Sequence, residues 1–222
     1  MMRTHRIVLV DDHPILRGGL AQLIGDDPTL EVCGEAASVK EATALLEKVH
    51  PDLALVDVFL EGSNGIELTK IIRRRWPRVR VLILSMHDET VYARRALRAG
   101  ALGYVMKQEV SKTILEAIHT VVEGERYVSE NVARALENEG LETKPGAAGP
   151  GQFVDVLSDR ELEVFEHFGH GMSRSAIAEM LNVSVKTVEA HRQHIREKLE
   201  IKDATDFMRR AMLWVEVEKP QG

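Results

Sequence analysis

Five side chains of types that can handle a phosphoryl group stand at the ends of short apolar runs. Asp11 and Asp12 follow Ile7-Val8-Leu9-Val10, and Asp57 follows Leu53-Ala54-Leu55-Val56. Ser85 closes the run from Val79 to Leu84, and Lys107 stands two residues after Leu102-Gly103-Tyr104-Val105. Continuous apolar runs of this length indicate strands covered on both faces, as in a parallel sheet. Ligands of open α/β sheets bind at the carboxyl ends of such strands. Three carboxylates on one rim repel each other and favour a hard divalent cation; Mg²⁺ suits oxygen ligands and keeps waters and substrate phosphate in its shell. A carboxylate beside that metal can accept a phosphoryl group, and Ser85 and Lys107 would bind the oxygens of the transferred group. A lone Asp at a strand end is ordinarily a helix cap or a turn residue; five suitable side chains on separate strand ends are hard to dismiss in that way.

A second group of candidates lies near the carboxyl terminus. Ser158 followed by Glu161 forms a capping box that opens a helix whose Leu162, Phe165 and Phe168 face inward. Gly169 to Gly171 turns the chain, and Ser173 caps a short helix with Ile177, Met180 and Leu181 inward. Asn182-Val183-Ser184 turns it again into a long helix ending near Leu199. A helix, a short turn and a longer helix make the helix-turn-helix arrangement. Val188, Ile195 and Leu199 define the buried stripe of the long helix. Glu189, Ala190 and Gln193, with Lys186 as a fourth, face away from it and are the candidate base readers. Gln suits adenine, Glu accepts from cytosine N4 and Ala touches a thymine methyl. Thr187, His191, Arg192, His194, Arg196 and Lys198 lie beside or behind that face and suit phosphates, which fix register without reading sequence.

These candidates need elements to hold them. Between the apolar runs lie segments of helical period: Ile15 to Ile24, Val39 to Val49 with Ser38 and Glu41 as a capping box, a helix containing Ile66, Ile71 and Ile72 and stopped by Pro77, Thr90 to Arg98, and Val110 to Val122 capped by Ser111. With a weaker strand at Leu30–Cys33, this gives a doubly wound α/β fold with a five-stranded parallel sheet over residues 1–125. Residues 126–152 read as a linker, Gly- and Pro-rich after Glu139, with a short helix expected over 129–137. Residues 153–222 show four helical segments and no strand pattern, an all-α domain.

Composition narrows the function classes. Apolar residues are 44% and charged residues 29% of the 222, enough for a core and unlike a disordered tail. The longest stretch free of Asp, Glu, Lys and Arg, Pro145 to Val154, is Pro- and Gly-rich, so no membrane span is expected. Arg3 and Arg6 precede Asp11 and Asp12 with no signal-peptide core between, and the protein is expected in the cytoplasm. A single cysteine, Cys33, excludes an internal disulfide framework and a cysteine-rich zinc site. Net charge is −6, spread as −2, −1 and −3 over the three segments, so DNA binding must rest on the motif and not on bulk charge.

Val-Asp-Asp-His-Pro at 10–14, Leu-Val-Asp-Val at 55–58, Leu-Ser-Met-His-Asp at 84–88 and Gly-Tyr-Val-Met-Lys at 103–107 resemble the receiver domain of bacterial response regulators. Leu-Ser-Asp-Arg-Glu-Leu-Glu-Val at 157–164, Ile-Ala-Glu-Met-Leu at 177–181 and Val-Ser-Val-Lys-Thr-Val-Glu-Ala-His at 183–191 resemble the LuxR-type helix-turn-helix. Together they resemble the NarL/FixJ family of transcriptional regulators. The resemblance implies that Asp57 takes a phosphoryl group from a sensor histidine kinase. It implies that Asp12, Asp57 and the backbone carbonyl of Phe59 bind Mg²⁺, with Asp11 acting through water. Ser85 and Tyr104 would be the switch pair, the hydroxyl moving to the phosphoryl and the ring packing inward. Phosphorylation would promote a homodimer and binding to double-stranded DNA, with Phe207, Met208, Ala211 and Met212 offering either a dimer surface or core packing. The sequence departs from the family at Gln108, where Pro with a cis peptide is common. A cis Lys-Gln bond would cost about 2.5–4 kcal/mol, so a trans bond or a strained loop is expected. Further departures are the loop Leu60-Glu61-Gly62-Ser63-Asn64-Gly65, which lacks a common Pro, and Arg174 and Ala204, where Asn and Arg are common.

Two other function classes compete. A small Mg²⁺-dependent phosphotransfer enzyme with an Asp nucleophile would use the same rim, but the helix-turn-helix and the lack of a substrate-covering domain argue against an enzyme. A receiver serving as a phosphorylation-independent dimerisation block would leave the complete acidic rim without a use.

Overall fold

The computed structural model describes residues 4–60, 63–86, 89–130, 132–134, 136 and 152–217. The chain falls into two compact units, residues 1–142 and 143–222.

In the first unit, five strands form one parallel sheet: β1 (His5–Val10), β2 (Leu30–Ala36), β3 (Leu53–Asp57), β6 (Arg80–Ser85) and β7 (Gly103–Met106), in the order β2-β1-β3-β6-β7. Two short strands, β4 (Phe59–Leu60) and β5 (Ser63–Asn64), pair antiparallel just after β3 and were not anticipated from the sequence. The helices are α1 (Pro14–Gly25), α2 (Val39–Val49), α3 (Gly65–Arg75), α4 (Glu89–Ala99) and α5 (Val110–Glu123). Side chains alternate along each strand. Ile7, Leu9, Leu53, Leu55, Leu82 and Leu84 pack with Leu20, Ile24, Ile114 and Ile118 of α1 and α5. Their neighbours Val8, Val10, Ala54, Val56, Val81 and Ile83 are equally buried, which is why the strands read as unbroken apolar runs.

Local chemistry sets the helix ends. Ser38 caps α2 by accepting from Glu41 N–H at 3.2 Å, but Glu41 reaches back to the Ala37 amide at 2.8 Å and not to that of Ser38. Asn64, buried, caps α3 by accepting from Ile66 N–H at 2.8 Å. The N-cap of α5 is Glu109, so Ser111 is not the cap expected from the sequence. Ile15, expected in the core, is 91% exposed. The buried stripe of α1 runs through Leu20 and Ile24 with Leu16 and Leu23 packed beside them, and Ile15 lies about a third of a turn outside it. Among the described residues no cis peptide bond occurs, so Gln108 is joined to Lys107 in the trans form. No helix among them is long and apolar enough to cross a membrane.

Asp27, between α1 and β2, ties α5 to the sheet. It accepts from Thr29 Oγ1 at 2.6 Å and lies 2.8 Å from His119 Nε2. The Thr29 hydroxyl first, then His119, hold its carboxyl down to about 2, below the ordinary 3.8. A depressed carboxylate pKa stabilises the fold fully above the unfolded value, and the effect is lost as pH falls through the folded value. Asp27→Asn should therefore lower the urea midpoint at pH 7, and the gap from the parent should close between about pH 4 and pH 2. A gap independent of pH would exclude this role.

In the second unit a short 3-10 helix (Gln152–Val156) precedes α6 (Asp159–Gly169), α7 (Arg174–Met180), α8 (Val185–Lys198) and α9 (Ala204–Val217). The capping box at Ser158 and Glu161 forms with both hydrogen bonds, and Ser173 and Ser184 cap α7 and α8. Asn182 takes the left-handed turn (φ 48°) between α7 and α8, a conformation Asn tolerates better than most residues. Phe207 sets its ring edge-on against Phe165 and Phe168 at 5.4 and 5.2 Å. Val188, Ile195 and Leu199 are buried as the spacing predicts. Met180, expected inward, is 55% exposed; Ala178 takes the buried position beside Ile177 and Leu181.

Candidate phosphoacceptor pocket and nucleic-acid interface

Parallel pairing brings the strand ends to one rim. Asp57 pairs with Leu84 and Ser85 with Met106, so the Asp57 carboxylate, the hydroxyl and the lysine loop follow one another across the sheet. Lys107 donates its backbone N–H to the Ser85 carbonyl at 2.7 Å, which locks the two together. Lys107 Nζ lies 2.7 Å from Asp57 Oδ2 and 2.8 Å from Asp11 Oδ2, with all three side chains nearly buried. Burial pushes the Asp57 carboxyl up to about 7 against the pull of the Lys107 ammonium, with Asp11 and Asp12 adding repulsion. For Lys107, burial opposes the charge, but Asp57 and Asp11 outweigh it and raise its pKa.

The α3 amino terminus closes the floor. The backbone of Gly65 donates to the Val58 carbonyl at 2.7 Å. A Cβ at Gly65 would stand 1.9 Å from the Asp57 carbonyl oxygen, so only glycine permits this approach. Phe59, two residues past Asp57, is half-buried and sets its ring edge-on against Tyr92 at 5.4 Å. Tyr104 and Ser85 are buried, Tyr104 at 1% exposure with its ring inside the fold.

The donor set can be tested for a cation. Asp11, Asp12, His13 and Asp57 each offer an atom within 4.8 Å of the others. Asp11 Oδ2 and Asp12 Oδ1 are buried yet make no hydrogen bond of normal geometry, although Lys107 Nζ is 2.8 Å from the first and His13 Nδ1 2.7 Å from the second. Carboxylate oxygens with unused acceptor capacity, in a pocket of net negative charge, fit a hard divalent ion. His13 was not singled out from the sequence; its place directly after two rim aspartates was the available signal.

On the helix-turn-helix, Lys186, Ala190, Gln193 and His194 are exposed on α8, while Thr187, Glu189, His191, Arg192 and Arg196 are half-buried. Several are engaged within the unit. Glu189 is gripped by Arg174 at 3.1 Å and Arg192 at 3.3 Å, and these two guanidiniums outweigh slight burial and hold its carboxyl below the usual range. The departure at Arg174 thus bears directly on a candidate base reader. Arg192 also lies over the rings of Phe207 and Phe168, 5.4 and 5.8 Å from their centroids. Gln193 donates to Glu197 at 2.8 Å, Arg196 to the Lys202 carbonyl at 2.7 Å, and Lys198 to Glu161 at 2.6 Å. Burial and the Arg160 charge lower the His191 pKa, which favours a neutral ring. Of the surface expected on α9, Phe207 and Ala211 are fully buried core residues, Met208 is half-buried and Met212 is 46% exposed.

Comparison with known proteins matches each unit to a family. Residues 7–119 match the response regulator receiver domain, and residues 155–211 match the bacterial regulatory proteins of the luxR family. The transcriptional regulatory protein DegU of Brevibacillus brevis is 32% identical over 225 residues, covering 96% of this chain and 95% of that protein. The oxygen regulatory protein NreC of Staphylococcus aureus (strain bovine RF122 / ET3-1) is 35% identical over 209 residues, covering 93% and 96%. The crystal structure of a two-component response regulator of the LuxR family from Aurantimonas sp. SI85-9A1 is 40% identical, covers 63% of this chain and 99% of its own, and superposes with a TM-score of 0.58.

Proposed function

The chain belongs to the response regulators that join a receiver domain to a LuxR-type DNA-binding domain, and from that premise we propose that Asp57 is the phosphoacceptor that controls DNA binding. The observation that carries this reading is the Lys107 ammonium set between Asp57 and Asp11 at 2.7 and 2.8 Å on the strand-end rim. An Asp57 carboxylate oxygen attacks the phosphorus of a kinase phosphohistidine. The new O–P bond forms as the P–N bond breaks, and the imidazole leaves and takes a proton from solvent. Lys107 and Ser85 bind the phosphoryl oxygens, and the buried walls keep water from the acyl phosphate. Asp12, Asp57 and the Phe59 carbonyl, with Asp11 through water, would hold Mg²⁺. When bound, that ion offsets the charge of the carboxylates and of the incoming phosphoryl group. The protein turns over no external phosphoester; its partners are a sensor histidine kinase and double-stranded DNA, and it works in the cytoplasm where both are met.

The receiver spans residues 1–125, the linker 126–152 and the DNA-binding domain 153–222. Phosphorylation promotes a homodimer, and two tethered helix-turn-helix modules gain avidity on paired half-sites. Light scattering and DNA-binding titrations, with and without a small acyl phosphate donor, test this. The expected result is a dimer and tighter binding in the phosphorylated sample; a monomer of unchanged affinity under both conditions would refute it. Ser85 and Tyr104 carry the signal from the phosphoryl group to the surface. Ser85→Ala should still be labelled by the donor but should gain little DNA affinity, because the hydroxyl that senses the phosphoryl is gone. A full gain in that variant would exclude the role.

Lys186, Glu189, Ala190 and Gln193 read bases, while Thr187, His191, Arg192, His194, Arg196 and Lys198 contact or brace against phosphates. Gln193→Ala should relax preference at one base pair per half-site, worth about 1–3 kcal/mol. Binding-site selection that returns the parental sequence at every position would show that α8 enters the groove in another phase.

A further inference from the structure

At the amino ends of the strands lies a cleft of about 810 Å³, lined among others by His50, Asp52, Arg73, Trp76, Arg78 and Arg80. Its size falls in the range of small-molecule sites, about 300–1,000 Å³. Arg80 opens β6 and Ser85 closes it. The cleft and the phosphoacceptor rim are therefore a strand apart, roughly 17 Å at about 3.3 Å per residue.

The arginines of this cleft are not paired with acids of the fold. Arg75 next door pairs with Glu47 and lies 4.6 Å over the Trp76 ring. By contrast, the guanidiniums of Arg73, Arg78 and Arg80 make no side-chain hydrogen bond or ion pair among the described residues. The acid in the cleft, Asp52, accepts the Arg6 backbone N–H at 3.0 Å, and its carbonyl accepts that of Arg80 at 3.0 Å. Cations in the last turn of α3 favour the helix dipole, which accounts for Arg73 to Arg75. Arg80 lies beyond α3 but its guanidinium reaches the carboxyl end of α5, 3.6 Å from where a Cβ at the capping Gly124 would stand, and only Arg78 is at no helix end. Trp76, half-buried, adds a flat apolar wall beside the three guanidiniums.

We propose that this cleft binds a nucleoside di- or triphosphate. Guanidinium forks match phosphate oxygens in bidentate geometry, and three of them suit a chain of two or three phosphates. The cleft is far larger than a single phosphate needs, and an indole beside it offers the stacking surface that any base can use. The site is independent of Asp57 and of the helix-turn-helix.

Isothermal titration of the full chain in buffer free of Mg²⁺ and inorganic phosphate tests the assignment, with ADP, ATP, pyrophosphate and adenosine as probes. ADP and ATP should saturate one site, and pyrophosphate should compete more weakly. Adenosine alone should give no binding in the same range. Arg78→Gln with Arg80→Gln should weaken ADP at least tenfold, with the single exposed change Arg78→Gln as the control should the double variant melt early. Trp76→Leu should weaken ADP and leave pyrophosphate unchanged, and Asp57→Asn should bind like the parent. Absence of saturation at millimolar nucleotide, binding indifferent to the arginine changes, or loss of binding in Asp57→Asn would overturn the site. Equal binding of ADP and pyrophosphate, unaffected by Trp76→Leu, would overturn the nucleotide class.

Discussion

Asp57→Asn should lose the phosphoryl adduct completely. The amide keeps the shape of the carboxylate but is not a nucleophile toward phosphorus, and no other carboxylate can take over easily. Asp11 shares Lys107 with Asp57 but is also held by the His13 backbone N–H at 2.8 Å, and Asp12 lies beside the His13 ring. The fold should survive, because Lys107 keeps Asp11 at 2.8 Å as a counter-ion. Intact-mass analysis after incubation with an acyl phosphate donor and Mg²⁺ measures the result directly. The parent should carry one lasting adduct, lost when EDTA replaces Mg²⁺, and the variant none. Full labelling of Asp57→Asn would move the acceptor elsewhere. Rapid release of inorganic phosphate over many turnovers by the parent would instead favour the enzyme reading.

Gly65→Ala should be the most damaging small substitution in the receiver. The added methyl would meet the Asp57 carbonyl oxygen at 1.9 Å and a Val56 methyl at 2.9 Å, and the first is backbone that cannot swing aside. Either α3 retreats, breaking the 2.7 Å bond from Gly65 to the Val58 carbonyl, or the end of β3 moves. Overpacking of this kind costs about 3 kcal/mol, which for a domain of this size lowers the melting temperature by roughly 10 °C. Phosphorylation should slow as well, since Asp57, the proposed acceptor, sits on the displaced backbone. Calorimetry showing an unchanged melting temperature would mean that the loop between Val58 and Gly65 has room the structure does not reveal.

The strands and their functional ends were legible because a parallel sheet buries both faces and each run stops where a polar group is needed. The serine caps at 38, 158, 173 and 184 were legible because capping is decided within four residues. What escaped reading is tertiary. Ile15 and Met180 have the chemistry of core residues, and only the packing partner fixes the helical phase that leaves them outside. The β4–β5 pair is two residues long on each side, too short to leave a pattern. The grip of Arg174 on Glu189 joins residues on separate helices, and no periodicity announces it. Gly65 looked like an ordinary loop glycine; its close approach to Asp57 appears only when β3 and α3 meet.

The division along α8 between side chains that brace and side chains that are merely exposed bears on how such a regulator changes its targets over time. Arg192 lies over two rings of the core, Arg196 holds the Lys202 carbonyl and Lys198 reaches Glu161, so substitution there disturbs the domain itself. Lys186 and Ala190 are exposed, as is Gln193, which donates only to exposed Glu197 on the same helix, and replacing an exposed helix residue usually changes stability by less than about 0.5 kcal/mol. If those side chains read bases as proposed, operator preference can change through substitutions that leave the domain folded, whereas a change among the bracing residues meets a cost in stability first.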